Sequence, residues 1–108
     1  MMYRIGVYVP ESHLESVKEA MFSSGGGRYK NYDRCSWQTA GTGQFKPLSG
    51  ANPHTGKPGK LEKLTEFRVE MVCDDTTVKE VIDAMLTAHP YEEPAYDVIE
   101  IKTIRDFA

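Results

Sequence analysis

No run of apolar residues in this 108-residue chain approaches the roughly 20 needed to cross a bilayer, which excludes a transmembrane helix. Basic runs are missing too. The 13 Lys and Arg are scattered among 16 Asp and Glu, and the net charge is −3. A nucleic-acid binder concentrates its cations to neutralise phosphates, so no nucleic-acid partner is expected. Cysteine is scarce, only Cys35 and Cys73, and neither stands in a CxxC or CxxxH spacing. That excludes a disulfide scaffold and a sequence-encoded zinc motif, and it favours two reduced, small hydrophobes. The beginning, Met1-Met2-Tyr3-Arg4-Ile5-Gly6-Val7, lacks the apolar core of a signal peptide, so the expected location is cytoplasmic, without a membrane partner.

What is present is ordinary globular material, 40% hydrophobic and 27% charged, enough for one core and one domain spanning 1–108. Tyr3, Ile5, Val7 and Val9 alternate with Arg4, Gly6 and Tyr8, which predicts a strand over 2–9 ended by Pro10. Ser12 and Glu15 have capping-box spacing. Leu14, Val17, Met21 and Phe22 then form the apolar stripe of a helix, stopped by Gly25-Gly26-Gly27. Residues 28–48 read as an irregular hairpin turning at Gly41-Thr42-Gly43, with Asp33, Cys35 and Trp37 on one parity. Residues 49–60 hold no large apolar side chain, so an exposed, mobile loop is expected. Phe67, Val69 and Met71 mark the longest strand, over 61–73. Thr77 and Glu80 repeat the capping spacing, and Val78, Val81, Ile82, Met85 and Leu86 predict a second helix ending before His89-Pro90. A last strand runs over 96–104.

The order β-α-β-β-α-β, with an elaborated central hairpin, predicts an α+β, ferredoxin-like sheet covered by helices on one face. Tyr8, Trp37 and Val98 are expected on the other face. Apolar residues there give a reason for self-association.

Three stretches resemble a known family. His89-Pro90-Tyr91-Glu92-Glu93-Pro94-Ala95-Tyr96-Asp97, Gly41-Thr42-Gly43-Gln44-Phe45-Lys46-Pro47 and Asn31-Tyr32-Asp33-Arg34-Cys35-Ser36 are similar to motifs of the NGG-interacting-factor-three-like family. The resemblance implies a stand-alone version of the small domain inserted in that family's larger metal-binding domain. It also implies a fold similar to the trimeric CutA and PII-like proteins. The histidines and carboxylates of the larger domain have no counterpart in this sequence, so the family's dinuclear metal chemistry is not carried over.

His89 with Glu92 and Glu93 is the sharpest chemical cluster. It suits a metal or an acid–base pair, against the plainer reading of a stiff, proline-bounded turn or a subunit contact, with Tyr91 between. Cys35 and Cys73 offer thiolates from strands that could be neighbours, and His13, His54 and His89 need the fold to meet. Arg28 and Lys30 follow the triple glycine. A phosphate loop precedes its helix, however, and no GK[ST] occurs, so they count only as point charges for an anion. The 49–60 loop, with His54, Lys57 and Lys60, has the place in the chain where PII-like proteins carry a sensing loop. No nucleophile–base pair, phosphate loop or complete metal motif is found.

The expected function is therefore a non-enzymatic, oligomeric binding or regulatory module with no required cofactor. It is a homotrimer, with a dimer as the alternative, and its further partner is a protein or small molecule. The rival readings are a divalent-metal protein with sites between subunits and a PII-like small-ligand sensor.

Overall fold

The alternation that begins the chain becomes strand β1 (Met2–Pro10) in the computed structural model, which describes residues 1–108. Helix α1 (Leu14–Ser23) follows, then β2 (Trp37–Phe45), β3 (Glu62–Asp74), α2 (Val78–Ala88) and β4 (Tyr96–Ile101). The sheet order is β2-β3-β1-β4, and every neighbouring pair is antiparallel. β1 and β2 thus run parallel with β3 between them, and β3 and β4 run parallel with β1 between them. This is the ferredoxin-like arrangement.

One face of the sheet carries the core. Ile5, Val7 and Val9 of β1 and Val69, Met71 and Cys73 of β3 bury against Leu14, Val17 and Met21 of α1 and Val81 and Met85 of α2. Strand and helix periodicities agree, so each element presents a single apolar surface. Leu86, assigned above to the helix stripe, instead lies exposed at its edge. No helix is long and apolar enough to cross a membrane.

The triple glycine ends α1 as expected. Gly26 N–H reaches the Met21 carbonyl at 2.9 Å and Gly25 N–H the Phe22 carbonyl at 3.1 Å, with Gly25 at φ 111°. That pair of bonds is the Schellman closure, which needs a left-handed residue after the last turn.

Four expectations require correction. Neither capping box forms. The Ser12 hydroxyl pairs with His13 Nδ1 at 2.8 Å, while α2 is preceded by Asp74, whose carboxylate accepts from Thr76 N–H at 3.0 Å and from the Thr76 and Thr77 hydroxyls. Residues 28–36 are turns, not strand, so Cys35 lies in a loop. Gly41-Thr42-Gly43 is not a turn: it runs straight through β2, and the hairpin closes instead through residues 46–61. Val98 opposes Ile5 and joins the core, leaving Ile99 rather than Val98 on the open face.

That open face shows how the glycines are used. Gly6 leaves room for the Arg68 side chain to lie across β1, over the Tyr8 ring at 5.0 Å. There Arg68 makes two bonds to Asp97, at 3.1 and 3.2 Å, and one to Glu70 at 3.2 Å. In the same way Gly43 leaves room for the Glu66 carboxylate across β2.

Candidate functional site

The residues joining α2 to β4 are held by a buried histidine. His89, only 6% exposed, follows directly on α2, and its Nε2 lies 2.7 Å from the Tyr8 carbonyl of β1. The carbonyl can only accept, so Nε2 carries the proton. Nδ1 is then free to accept the Tyr91 N–H at 3.2 Å. Burial lowers the His89 pKa from 6.5, against a smaller raising effect of the Tyr8 carbonyl bond. The ring is neutral and both nitrogens are used.

That arrangement sends Tyr91 over the sheet edge toward the open face. Its hydroxyl donates to Glu66 at 2.7 Å, and burial together with this bond raises the phenol pKa. Phe45, at the end of β2, meets the Tyr91 ring at 6.1 Å. The loop expected to be free is folded back onto the same place. Asn52 N–H donates to Glu92 at 3.1 Å, and the His54 ring lies 5.5 Å from His13 and 6.4 Å from Tyr91. Between loop and turn lies a cleft of about 320 Å³, lined by Tyr8, Phe45, His54, Glu66, Tyr91, Glu92 and Glu93 among others. Its volume is at the low end of small-ligand sites, roughly 300–1,000 Å³.

Four of the expected residues, His54, Tyr91, Glu92 and Glu93, therefore share one site, and His89 stands behind it as its support. The other two do not join them. Arg28 and Lys30 line a separate cleft at the opposite end of β1, beside Met1, Asp74, Arg105 and Asp106, where cations and carboxylates are mixed. The metal candidates fare worse. Cys73 is buried on β3, and desolvation pushes its thiol up to about 11, so it stays protonated. Cys35 is in its loop, 3.8 Å from the Asp33 carbonyl, and both cysteines are free. His54 and His89 flank the Tyr91 ring and His13 meets His54, yet no three His, Cys, Asp or Glu side chains group as metal ligands. Glu66 escaped the sequence reading altogether. Its carboxylate lies over Gly43, diagonally across from Glu66 in the β2–β3 register, at a glycine that leaves room for it.

No family model matches the chain. It is 42% identical over 97 residues to the GTP cyclohydrolase 1 type 2 homolog of Halalkalibacterium halodurans, covering 90% of this chain and 26% of that protein. The crystal structure of a Bacillus cereus protein related to NIF3 superposes with a TM-score of 0.81 at 39% identity, over 94% of this chain and 26% of that one. The chain is related to NIF3 through this one segment. It spans about a quarter of the length of the NIF3-family proteins it matches. CutA from Archaeoglobus fulgidus has the same fold at 19% identity, with a TM-score of 0.66 over 95% of this chain and 86% of its own. GlnK of B. subtilis, solved as its ATP complex, follows at 0.60 and 11%, over 94% and 83%. The NIF3 resemblance and the CutA- and PII-like fold read from the motifs are thus both found.

The Tyr91–Glu66 bond gives a first test of the site's construction. Tyr91→Phe is expected to lower unfolding stability by about 1 kcal/mol, the middle of the range for a half-exposed hydrogen bond to a carboxylate. Chemical denaturation of the two proteins checks it. An unchanged midpoint would mean that the bond is not formed in solution.

Proposed function

We propose that this chain is a non-enzymatic, self-associating binding module, and that its ligand enters the cleft between the 46–61 loop and the His89–Pro94 turn. The observation that carries the reading is the cleft itself. Two segments that share no element are brought together by specific contacts, Asn52 to Glu92 and His54 to Tyr91, around an aromatic-lined hollow. Ligand sites have this character: concave, largely apolar, with a few placed polar groups. Nothing in the cleft pairs a nucleophile with a base. His89 has both nitrogens committed to backbone groups, and His54, the imidazole that lines the cleft, is hydrogen-bonded to no hydroxyl or thiol. The cyclohydrolase name belongs to proteins about four times as long, and it is not extended to this segment.

Self-association, as a homotrimer, is proposed on the open sheet face. Trp37 is 61% exposed there, with Ile99 and Tyr8 also uncovered. Aromatic and branched side chains on the uncovered side of a small sheet are the material of subunit contacts. The CutA- and PII-like fold supports the threefold form. The metal alternative loses its strongest ligand in His89, and the sensor alternative survives as the version of this proposal with a small-molecule ligand.

Size-exclusion with light scattering should give three times the 12.2 kDa chain mass. A Trp37→Glu, Ile99→Glu double variant should fall to the mass of one chain, because charge buried without a partner opposes assembly. A monomeric parent protein would remove the oligomer from the proposal. A thermal-shift screen of metabolites tests the cleft separately, since a ligand of the folded state raises the melting temperature with its concentration.

A further inference from the structure

The lining of the cleft selects among ligand chemistries by charge. Three carboxylates face it, Glu66, Glu92 and Glu93, and none takes part in an ion pair. The cations are fewer. Lys46 lines the rim and His54 is the only imidazole lining it, while Arg68, near Tyr8, is already neutralised by Asp97 and Glu70. With three carboxylates against one lysine, the cleft is negative. An anion such as a nucleotide phosphate would meet repulsion here.

The hydrogen bonds refine this further. Glu66 accepts the Tyr91 hydroxyl and Glu92 accepts the Asn52 N–H, so each has spare lone pairs but a fixed position. Glu93 has no partner in the fold. Rings stand beside them: Phe45 and Tyr91 are tilted at 56° to one another, and His54 and Tyr91 at 42°. Ring faces carry negative charge density and attract cations, with ammonium groups foremost among small-molecule ligands. Fixed carboxylates and tilted aromatic faces around one hollow favour the same ligand.

We propose that the cleft binds a small organic ammonium compound, a primary or quaternary amine carrying an apolar or aromatic group. The charged nitrogen is drawn to the carboxylates that line the hollow, Glu66, Glu92 and Glu93, and the apolar part lies against Phe45, Tyr91 and the prolines of the loop. A free amine is favoured over a lysine of a protein partner because the loop folds over the hollow and leaves about 320 Å³, the volume of a small molecule. The inference rests on the cleft being a binding site, as proposed above.

Phenethylamine, phenethyl alcohol and phenylacetate, matched in size and differing in charge, make the test. Titration of the full chain, followed by NMR of the Phe45, His54 and Tyr91 ring signals, should show the amine binding about tenfold or more tighter than the alcohol and the acid weakest. Glu93→Gln removes one charge that the fold does not use, and Glu66→Gln keeps an acceptor for Tyr91. The double variant should lose most of the preference for amine over alcohol, while each single variant retains the parent melting temperature within a few degrees. Equal binding of amine and alcohol by the parent protein would overturn the proposal, as would preference for the acid. In either of those cases the cleft still takes a ligand and only the charge argument fails. Silence of all three probes at these rings, together with a silent metabolite screen, would overturn both the ammonium proposal and the reading of the cleft as a site.

Discussion

Replacing His89 with alanine is expected to cost about 3 kcal/mol of unfolding stability, a fall of roughly 15 °C in melting temperature for a chain of this size. Two backbone groups lose their partner at once. The Tyr8 carbonyl loses the Nε2–H donor at 2.7 Å, and the Tyr91 N–H loses its acceptor at 3.2 Å. A group left buried and unpaired costs about 1–3 kcal/mol, and deletion of the ring adds a cavity cost. The damage should also reach the cleft, since His89 aims Tyr91 and Tyr91 aims Glu66. His89→Ala is therefore expected to weaken ligand binding as well as the fold. His89→Gln can supply one donor or one acceptor but not both at the ring's spacing, so it should fall between. Guanidinium denaturation of the three proteins, with the slope compared as well as the midpoint, separates lost stability from a changed native state.

The same residue sets a pH dependence with a definite sign. Burial holds the His89 pKa below 6.5, so the unfolded chain binds a proton more readily than the folded one. Stability is then fully present above about pH 6.5 and declines as pH falls through the interval down to the folded pKa. Below that interval the loss from this group is complete. In His89→Gln this part of the decline should vanish, leaving what carboxylates such as Asp74 contribute. A variant whose stability between pH 7 and 5 still parallels the parent would place the titration elsewhere.

The large-scale fold was legible because its signals are local and repeated. Ile5, Val7 and Val9, then Val69, Met71 and Cys73, alternate without a break, and the two helical stripes match them. Where a residue answers to something distant, the reading failed. Gly41 and Gly43 look like a turn, because a glycine that frees the backbone and one that makes room for a neighbour are identical in sequence. The β2–β3 register sets Glu66 opposite Gly41, and its side chain then leans diagonally over Gly43. Ser12 and Thr77 have capping spacing, yet one found His13 and the other yielded to Asp74. In β4 both parities carry apolar residues, so Val98 and Ile99 could not be assigned to faces without their partners. The cleft shows both outcomes. Its residues were nearly all singled out, as a turn and as a loop, but their meeting depends on a contact spanning 40 positions, from Asn52 to Glu92.

The triple glycine yields the second large effect, at its last member. Gly27 sits at φ 75°, a region that costs an L-residue about 1–2 kcal/mol. A Cβ there would also lie 2.7 Å from the Cys35 carbonyl oxygen and 3.0 Å from the Cys35 nitrogen. Those atoms belong to backbone that cannot swing aside. Gly27 N–H is bonded to the Val72 carbonyl of β3 at 2.8 Å, and its own carbonyl accepts Cys35 N–H at 2.8 Å. The residue is thus a clasp between the loop after α1 and the sheet. Gly27→Ala is expected to cost about 3 kcal/mol, left-handed strain and overpacking together. Gly59→Ala is the control: its φ of 83° imposes the same strain, and nothing lies within 4 Å of its Cβ position. It should cost only about 1 kcal/mol. The difference between the two midpoints in urea measures the contacts with the Cys35 backbone and with the Phe22 ring, which a Cβ on Gly27 would meet at 2.8 Å. Equal costs would mean that the 28–35 turn gives way freely. If the clasp holds as drawn, Gly27→Ala should loosen the end of the molecule that carries Arg28 and Lys30. Ligand binding at the other end of β1 should then survive, in contrast to His89→Ala, because no contact of the cleft passes through Gly27.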